Sequence, residues 1–101
     1  DIRNSRVVDI VSELRDWGVS LVVHDPWADP DDAAEELGLD LSPLSEFTNL
    51  DALIIAVPHQ QYHALGAKTI CAMVHDSGVL FDVKWLLSGQ SISSNQTLLS
   101  L

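Results

Sequence analysis

The sequence predicts an α/β domain, a three-layer Rossmann-like sandwich around a mainly parallel sheet. Two observations carry this. Three short, nearly continuous apolar runs, in residues 19–24, 51–57 and 78–83, alternate with segments of helical spacing or composition. Runs of that kind suit strands covered on both faces, and helices between buried strands imply parallel pairing through crossovers. With 101 residues the chain has room for one core, since domains commonly hold about 100–150 residues. Residues 1–101 are therefore expected to form one domain.

Taken in order, Val7, Ile10, Val11, Leu14 and Trp17 recur at spacings of three and four, the pattern of an amphipathic helix, and Gly18 stands where such a helix stops. Val19-Ser20-Leu21-Val22-Val23-His24 is β-branched and ends at Asp25-Pro26, which predicts a buried strand. Asp29 is placed to cap a second helix that gathers Asp31, Asp32, Glu35 and Glu36 and closes at Gly38. A short helical turn is expected near Leu44 to Phe47, then a strand through residues 51–57 halted by Pro58. Residues 59–63 open a helical or looped stretch, 67–74 have helical composition, and Gly78-Val79-Leu80-Phe81-Asp82-Val83 predicts the last strand. Residues 88–94 are polar enough for a mobile loop. A helix at the start of a parallel α/β unit normally follows a strand, and none precedes Asp1, so the sheet is expected to lack its first strand.

Fifteen acidic residues against five basic ones give a formal charge of −10. That field repels nucleic acid and anionic membranes at long range, so neither is expected as a partner. The longest apolar stretches fall far short of the ~20 residues of a membrane-spanning helix. No signal-peptide pattern is present, and Cys71, the single cysteine, allows no internal disulfide. The cytoplasm is the expected compartment. Cys71 lies among Ile70, Ala72, Met73 and Val74, the setting of an inert buried thiol.

Ligands of open parallel sheets gather outside the carboxyl ends of the strands. That rule selects residues 1–5, His24-Asp25-Pro26-Trp27, Pro58-His59-Gln60 and the segment from Asp82 to Trp85. Two of the five cations, Arg3 and Lys84, fall there, and both are expected on one edge of one sheet. Each also has a bland alternative: Arg3 as a surface residue or partner of Asp1 or Asp9, and Lys84 as an ion-pair partner of Asp82. His24 and His59 stand without a second ligand at metal spacing, so no metal site is expected. No Gly-rich phosphate loop, Walker motif or nucleophile elbow occurs.

The opening Asp1-Ile2-Arg3-Asn4-Ser5, the apolar helix after it and the His24-Asp25-Pro26 turn resemble the carboxy-terminal domain of the UDP-glucose/GDP-mannose dehydrogenase family. Its pattern there is Asp-x-Arg-x-Ser, helix, strand and a Tyr-or-His-Asp-Pro turn. The stretch from Asp51 to Pro58-His59 resembles the family's strand ending near a His, and Phe81-Asp82-Val83-Lys84 resembles its terminal Asp-x-Arg or Asp-x-Lys strand. The resemblance covers residues 1–87 and is closest to the UDP-N-acetylglucosamine/UDP-N-acetylgalactosamine 6-dehydrogenase branch, which makes uronic acids for surface polysaccharides.

It implies a UDP-sugar-binding domain of an NAD-dependent enzyme that oxidises the sugar C6 alcohol to a carboxylate. The family's amino-terminal NAD-binding domain and central helical segment, the latter mediating dimerisation, would be the partners of this domain. Arg3 matches the arginine that approaches the NAD pyrophosphate, and Lys84 the basic residue that approaches the UDP-sugar. The NAD fingerprint, the nucleophilic cysteine and the strand before Asp-x-Arg are absent, so no catalytic residue is assigned and the fragment is expected to be inactive alone. A stand-alone flavodoxin-like binding or regulatory module is the competing class. A receiver domain of that class needs clustered acids at one strand end and a phosphorylatable Asp, whereas Asp25 stands between His24 and Pro26.

Overall fold

The computed structural model describes residues 7–87, 89, 92 and 95–100. The chain forms two compact units, Asp1–Glu46 and Phe47–Leu101.

In the first unit, α1 (Val7–Asp16) buries Val11, with Val7 and Val8 packed beside it, as the three-and-four spacing requires. Trp17 falls beyond the helix and is 70% exposed. The second helix, α2 (Pro30–Leu37), begins and ends where expected. The Asp29 side chain accepts hydrogen bonds from the backbone N–H groups of Asp31 and Asp32 at 2.8 and 3.2 Å. Pro30 occupies the first turn, where no N–H is needed. Gly38 closes the helix at φ 65°, a left-handed conformation that costs glycine little, and returns its N–H to Ala33 and Ala34. Val11, Ala33 and Leu39 form the core of this unit.

Residues 19–24 do not form the predicted strand. They contribute one parallel bridge, Val23 to Leu41, supported by the Ser42 N–H donating to the Val23 carbonyl at 2.7 Å. Val19 is 47% exposed. β-branched composition favours an extended chain, but a strand requires a ladder partner, and among the described residues Leu41 alone supplies one.

The second unit is a wholly parallel three-stranded sheet in the order β1-β2-β3, with β1 Leu50–Ile55, β2 Val74–Asp82 and β3 Thr97–Ser100. The connection from β1 to β2 is α3 (Gln60–Cys71), broken at Gly66, whose φ of 81° and ψ of 158° are not helical. Its second half buries Ala67, Ile70 and Cys71 against Ile55, Val74 and Leu80. This is the α/β, Rossmann-like architecture predicted, with three refinements. β1 lies at a sheet edge among the described residues and is not covered on both faces as expected: Ile54 remains 39% exposed. The helix stops at Cys71, and Val74 already belongs to β2. β3 was not predicted: its side chains are all exposed, and Thr-Leu-Leu-Ser carries no burial pattern.

What anchors β3 is the residue before it. Gln96 is buried, and its Nε2 donates to the carbonyls of Cys71, Val74 and His75 at 2.9, 3.2 and 3.2 Å. One amide thus serves three acceptors at the junction of α3 and β2. Gln96→Leu leaves those carbonyls short of a donor, at about 1–3 kcal/mol. A fall of that size in the urea-unfolding free energy is expected, and a variant of unchanged stability would show that water satisfies the junction.

Candidate functional site

The carboxyl ends of β1 and β2 lie side by side, since Ile55 pairs with Asp82 in the parallel register. Two of the four segments selected from sequence, the one around His59 and the one from Asp82 to Trp85, are thereby brought together in one unit. The Val83 N–H donates to the Ile55 carbonyl at 3.1 Å and ties the two strand ends. The His24-Asp25-Pro26-Trp27 segment belongs to the first unit. There the Asp25 Oδ1 accepts from the N–H groups of Trp27 and Ala28 at 2.8 and 3.1 Å, leaving Trp27 71% exposed. Residues 1–5, and Arg3 with them, lie outside the described residues, as do five residues of the polar stretch 88–94.

Asp82 proves to be a structural acid. It is 2% exposed, and its carboxylate accepts one N–H from Leu86 at Oδ1, 2.8 Å, and one from Leu87 at Oδ2, 2.7 Å. Both oxygens are therefore engaged by backbone, and Leu86 and Leu87 are themselves buried at 8% and 1%. The carboxylate folds the chain after β2 back into the core, with residues 83–85 as the outward part of the bend. Lys84 stands on that bend, exposed, with no ion-pair partner among the described residues. The bland alternative, a Lys84–Asp82 ion pair, is not formed.

The remaining described cations are committed elsewhere or lie off this edge. The Arg15 Nη1 donates to the Gly38 carbonyl at 3.2 Å in the first unit, and Lys68 lies in the last turn of α3. His59 precedes α3 and sets its ring edge-on to Tyr62, centroids 5.4 Å apart. Cys71 is buried in the core of the second unit. A surface depression of about 540 Å³, lined by Asn49, Ala72, Val74, His75 and Asp76, opens at the amino end of β2, away from Lys84. Its lining offers no lysine or arginine, and His75 there faces the Asp51 carboxylate at 3.3 Å, so the strand-end rule, rather than concavity, locates the candidate anion site.

One residue on the bend was passed over in sequence. Trp85 is 58% exposed and adopts φ 63°, a left-handed backbone that costs a bulky L-residue about 1–2 kcal/mol. A tryptophan directly after Lys84, one of the two cations that the strand-end rule selects, was the available signal; its backbone conformation had none.

The comparisons agree with this architecture. A family model described as UDP-glucose/GDP-mannose dehydrogenase family, UDP binding domain, matches residues 1–89. The chain is 34% identical over 98 residues to Protein CapL of Staphylococcus aureus, covering 97% of this chain and 23% of that protein. It is 37% identical over 92 residues to a UDP-N-acetyl-D-glucosamine 6-dehydrogenase of Salmonella typhi, covering 89% and 21% respectively. The protein of the same name from Pseudomonas aeruginosa is 37% identical over 87 residues, covering 86% and 21%. The chain thus spans less than a quarter of the length of these curated relatives. No solved structure matches. Among the described residues no helix is long and apolar enough to cross a membrane.

Proposed function

Because this chain belongs to the UDP-glucose/GDP-mannose dehydrogenase family, as its UDP-binding domain, we propose that residues 1–101 hold the UDP-sugar of an NAD-dependent 6-dehydrogenase. The substrate in this reading is a UDP-N-acetylhexosamine, whose C6 alcohol becomes a carboxylate for polysaccharide biosynthesis in the cytoplasm. Two relatives named UDP-N-acetyl-D-glucosamine 6-dehydrogenase support that choice, and family membership favours it over a stand-alone flavodoxin-like module.

The observation that carries the proposal is Lys84, an exposed ammonium on a bend pinned by Asp82 at the carboxyl end of the central strand. The diphosphate of a UDP-sugar must approach a chain of formal charge −10. Charges beyond about 8 Å are largely screened at physiological salt. At 4 Å, by contrast, a unit pair is worth about 4 kcal/mol at an effective dielectric of 20. One cation in direct contact therefore outweighs a diffuse acidic background, and the ammonium donates to diphosphate oxygens through charge-assisted bonds.

The described residues do not fit NAD. They contain no Gly-x-Gly-x-x-Gly turn, and the amino end of α2 is filled by the Asp29 carboxylate with Asp31 and Asp32 beside it. In this reading NAD is bound mainly by an amino-terminal domain, with Arg3 reaching its pyrophosphate. The nucleophile belongs to a central helical segment, and the full enzyme is a homodimer.

Steady-state kinetics of the full-length protein test the assignment. Lys84→Ala should raise KM for the UDP-sugar and Arg3→Ala that for NAD. Each loss is expected at about 1.5–3 kcal/mol, or roughly tenfold to hundredfold in kcat/KM. Arg15→Ala should change neither. If Lys84 were only an exposed ion-pair partner, its removal would cost at most about 1 kcal/mol of stability and leave both KM values alone.

A further inference from the structure

The bend after β2 carries Trp85 immediately beside Lys84, and nothing in the proposal above uses it. Two structural facts set it apart from the other exposed tryptophans. Trp85 alone among them has a left-handed backbone, at φ 63°, and Trp85 alone adjoins a cation in sequence. Trp17 follows α1, between Asp16 and Gly18, and Trp27 follows Asp25-Pro26.

The strained conformation is imposed rather than incidental. Asp82 accepts from the backbone of Leu86 and Leu87, those leucines are buried, and Val83 is bonded to Ile55. The chain is therefore fixed on both sides of Trp85; a glycine would relieve the strain, and the greater part of the indole, 58% exposed, lies outside the packed core. Folding alone gives no reason for a large aromatic here. A strained backbone that the surrounding structure over-determines is a mark of ligand sites.

We infer that Trp85 is a second ligand-contacting residue, its indole stacking on the uracil of the nucleotide whose diphosphate Lys84 meets. The inference rests on the UDP-sugar reading and extends it to the base. Neighbouring Cα atoms are about 3.8 Å apart, so a cation and an aromatic face on successive residues suit one ligand that carries an anion and a flat ring close together. A nucleoside diphosphate has that composition. The domain's family is described by UDP binding, and the flat ring in UDP is uracil. Stacking suits it because a base presents a π-face that an aromatic side chain covers without needing hydrogen bonds.

Equilibrium binding of UDP, UDP-N-acetylglucosamine and inorganic pyrophosphate to the full-length protein separates the contributions. Trp85→Ala should weaken UDP and the UDP-sugar to the same extent, by roughly tenfold to hundredfold, and leave pyrophosphate within about twofold. Trp85→Phe, which keeps a ring, should recover most of the loss, and Trp17→Ala should lose nothing. Lys84→Ala should weaken all three ligands. Unchanged UDP affinity in Trp85→Ala overturns the inference, and if Lys84→Ala still weakens UDP, the UDP-sugar reading stands without it. Weakening of UDP-N-acetylglucosamine alone would put the indole on the sugar and also overturn the uracil contact. Equal losses for UDP and pyrophosphate, unrescued by Phe, would show that Trp85 merely shapes the bend.

Discussion

Asp82→Ala is expected to destabilise the second unit by about 3–5 kcal/mol, because two backbone N–H groups lose a buried charged acceptor at once. Bonds to charged groups contribute about 1.5–3 kcal/mol each, and the Leu86 and Leu87 amides would be left desolvated without a substitute. Spread over a domain of this size, the loss corresponds to a fall in Tm of more than about 10 °C. Asp82→Asn retains one acceptor oxygen but turns an NH2 group toward the other amide, so about half the loss is expected. Asp40→Ala, at an exposed position, should stay within about 0.5 kcal/mol. Thermal melts followed by circular dichroism check all three. A fall of less than 1 kcal/mol in Asp82→Ala would mean that water replaces the carboxylate and that the bend is not held as described.

Gly78 is the second position of large effect. Between the Leu50–Val74 and Ala52–Val79 pairs, β2 advances five residues while β1 advances two, so β2 carries an irregularity there. A Cβ on Gly78 would collide with Val74 Cγ1 and stand 2.9 Å from the Asp51 carbonyl oxygen and 3.2 Å from that of Leu50. Val74 is buried, and the carbonyls belong to β1, so neither side can retreat without disturbing the pairing. Gly78→Ala should cost about 2–3 kcal/mol, the upper part of the range for overpacking, and Gly78→Val more. Ser77→Ala, beside it and exposed, should be nearly neutral. Urea unfolding of the three variants decides, and a neutral Gly78→Ala would show that the irregularity is not fixed by close backbone approach.

Much of the fold was legible in sequence because local chemistry and tertiary position agree. Asp29, Pro30 and Gly38 cap their helix by rules that act within a few residues, and the spacing from Val7 to Leu14 marks a helix wherever it packs. The strands were harder. Residues 19–24 have strand composition, but pairing is a property of two segments, and composition names only one. β3 was missed for the opposite reason: its four exposed residues have no pattern, and it is held by Gln96, whose three acceptors lie more than twenty residues earlier. The strand-end rule selected Lys84 from sequence, and the structure places it, exposed, on the bend after β2. Asp82 looked like its ion-pair partner, since no sequence feature distinguishes a carboxylate facing solvent from one that folds back onto its own chain. Trp85 was overlooked because backbone strain leaves no trace in composition.

The sheet order has a consequence for how the second unit opens. Among the described residues, β2 alone has a strand on both sides, while β1 and β3 each expose one row of backbone groups. Subglobal openings release elements with few buried contacts first. β3, wholly exposed and moored at Gln96, is thus expected to open first, and amide hydrogens of β2 to exchange last. The bend that bears Lys84 continues β2 directly and is fastened to β1 through Val83. It therefore inherits the durability of the most protected strand, so the proposed anion site stays assembled through fluctuations that loosen the carboxy-terminal edge.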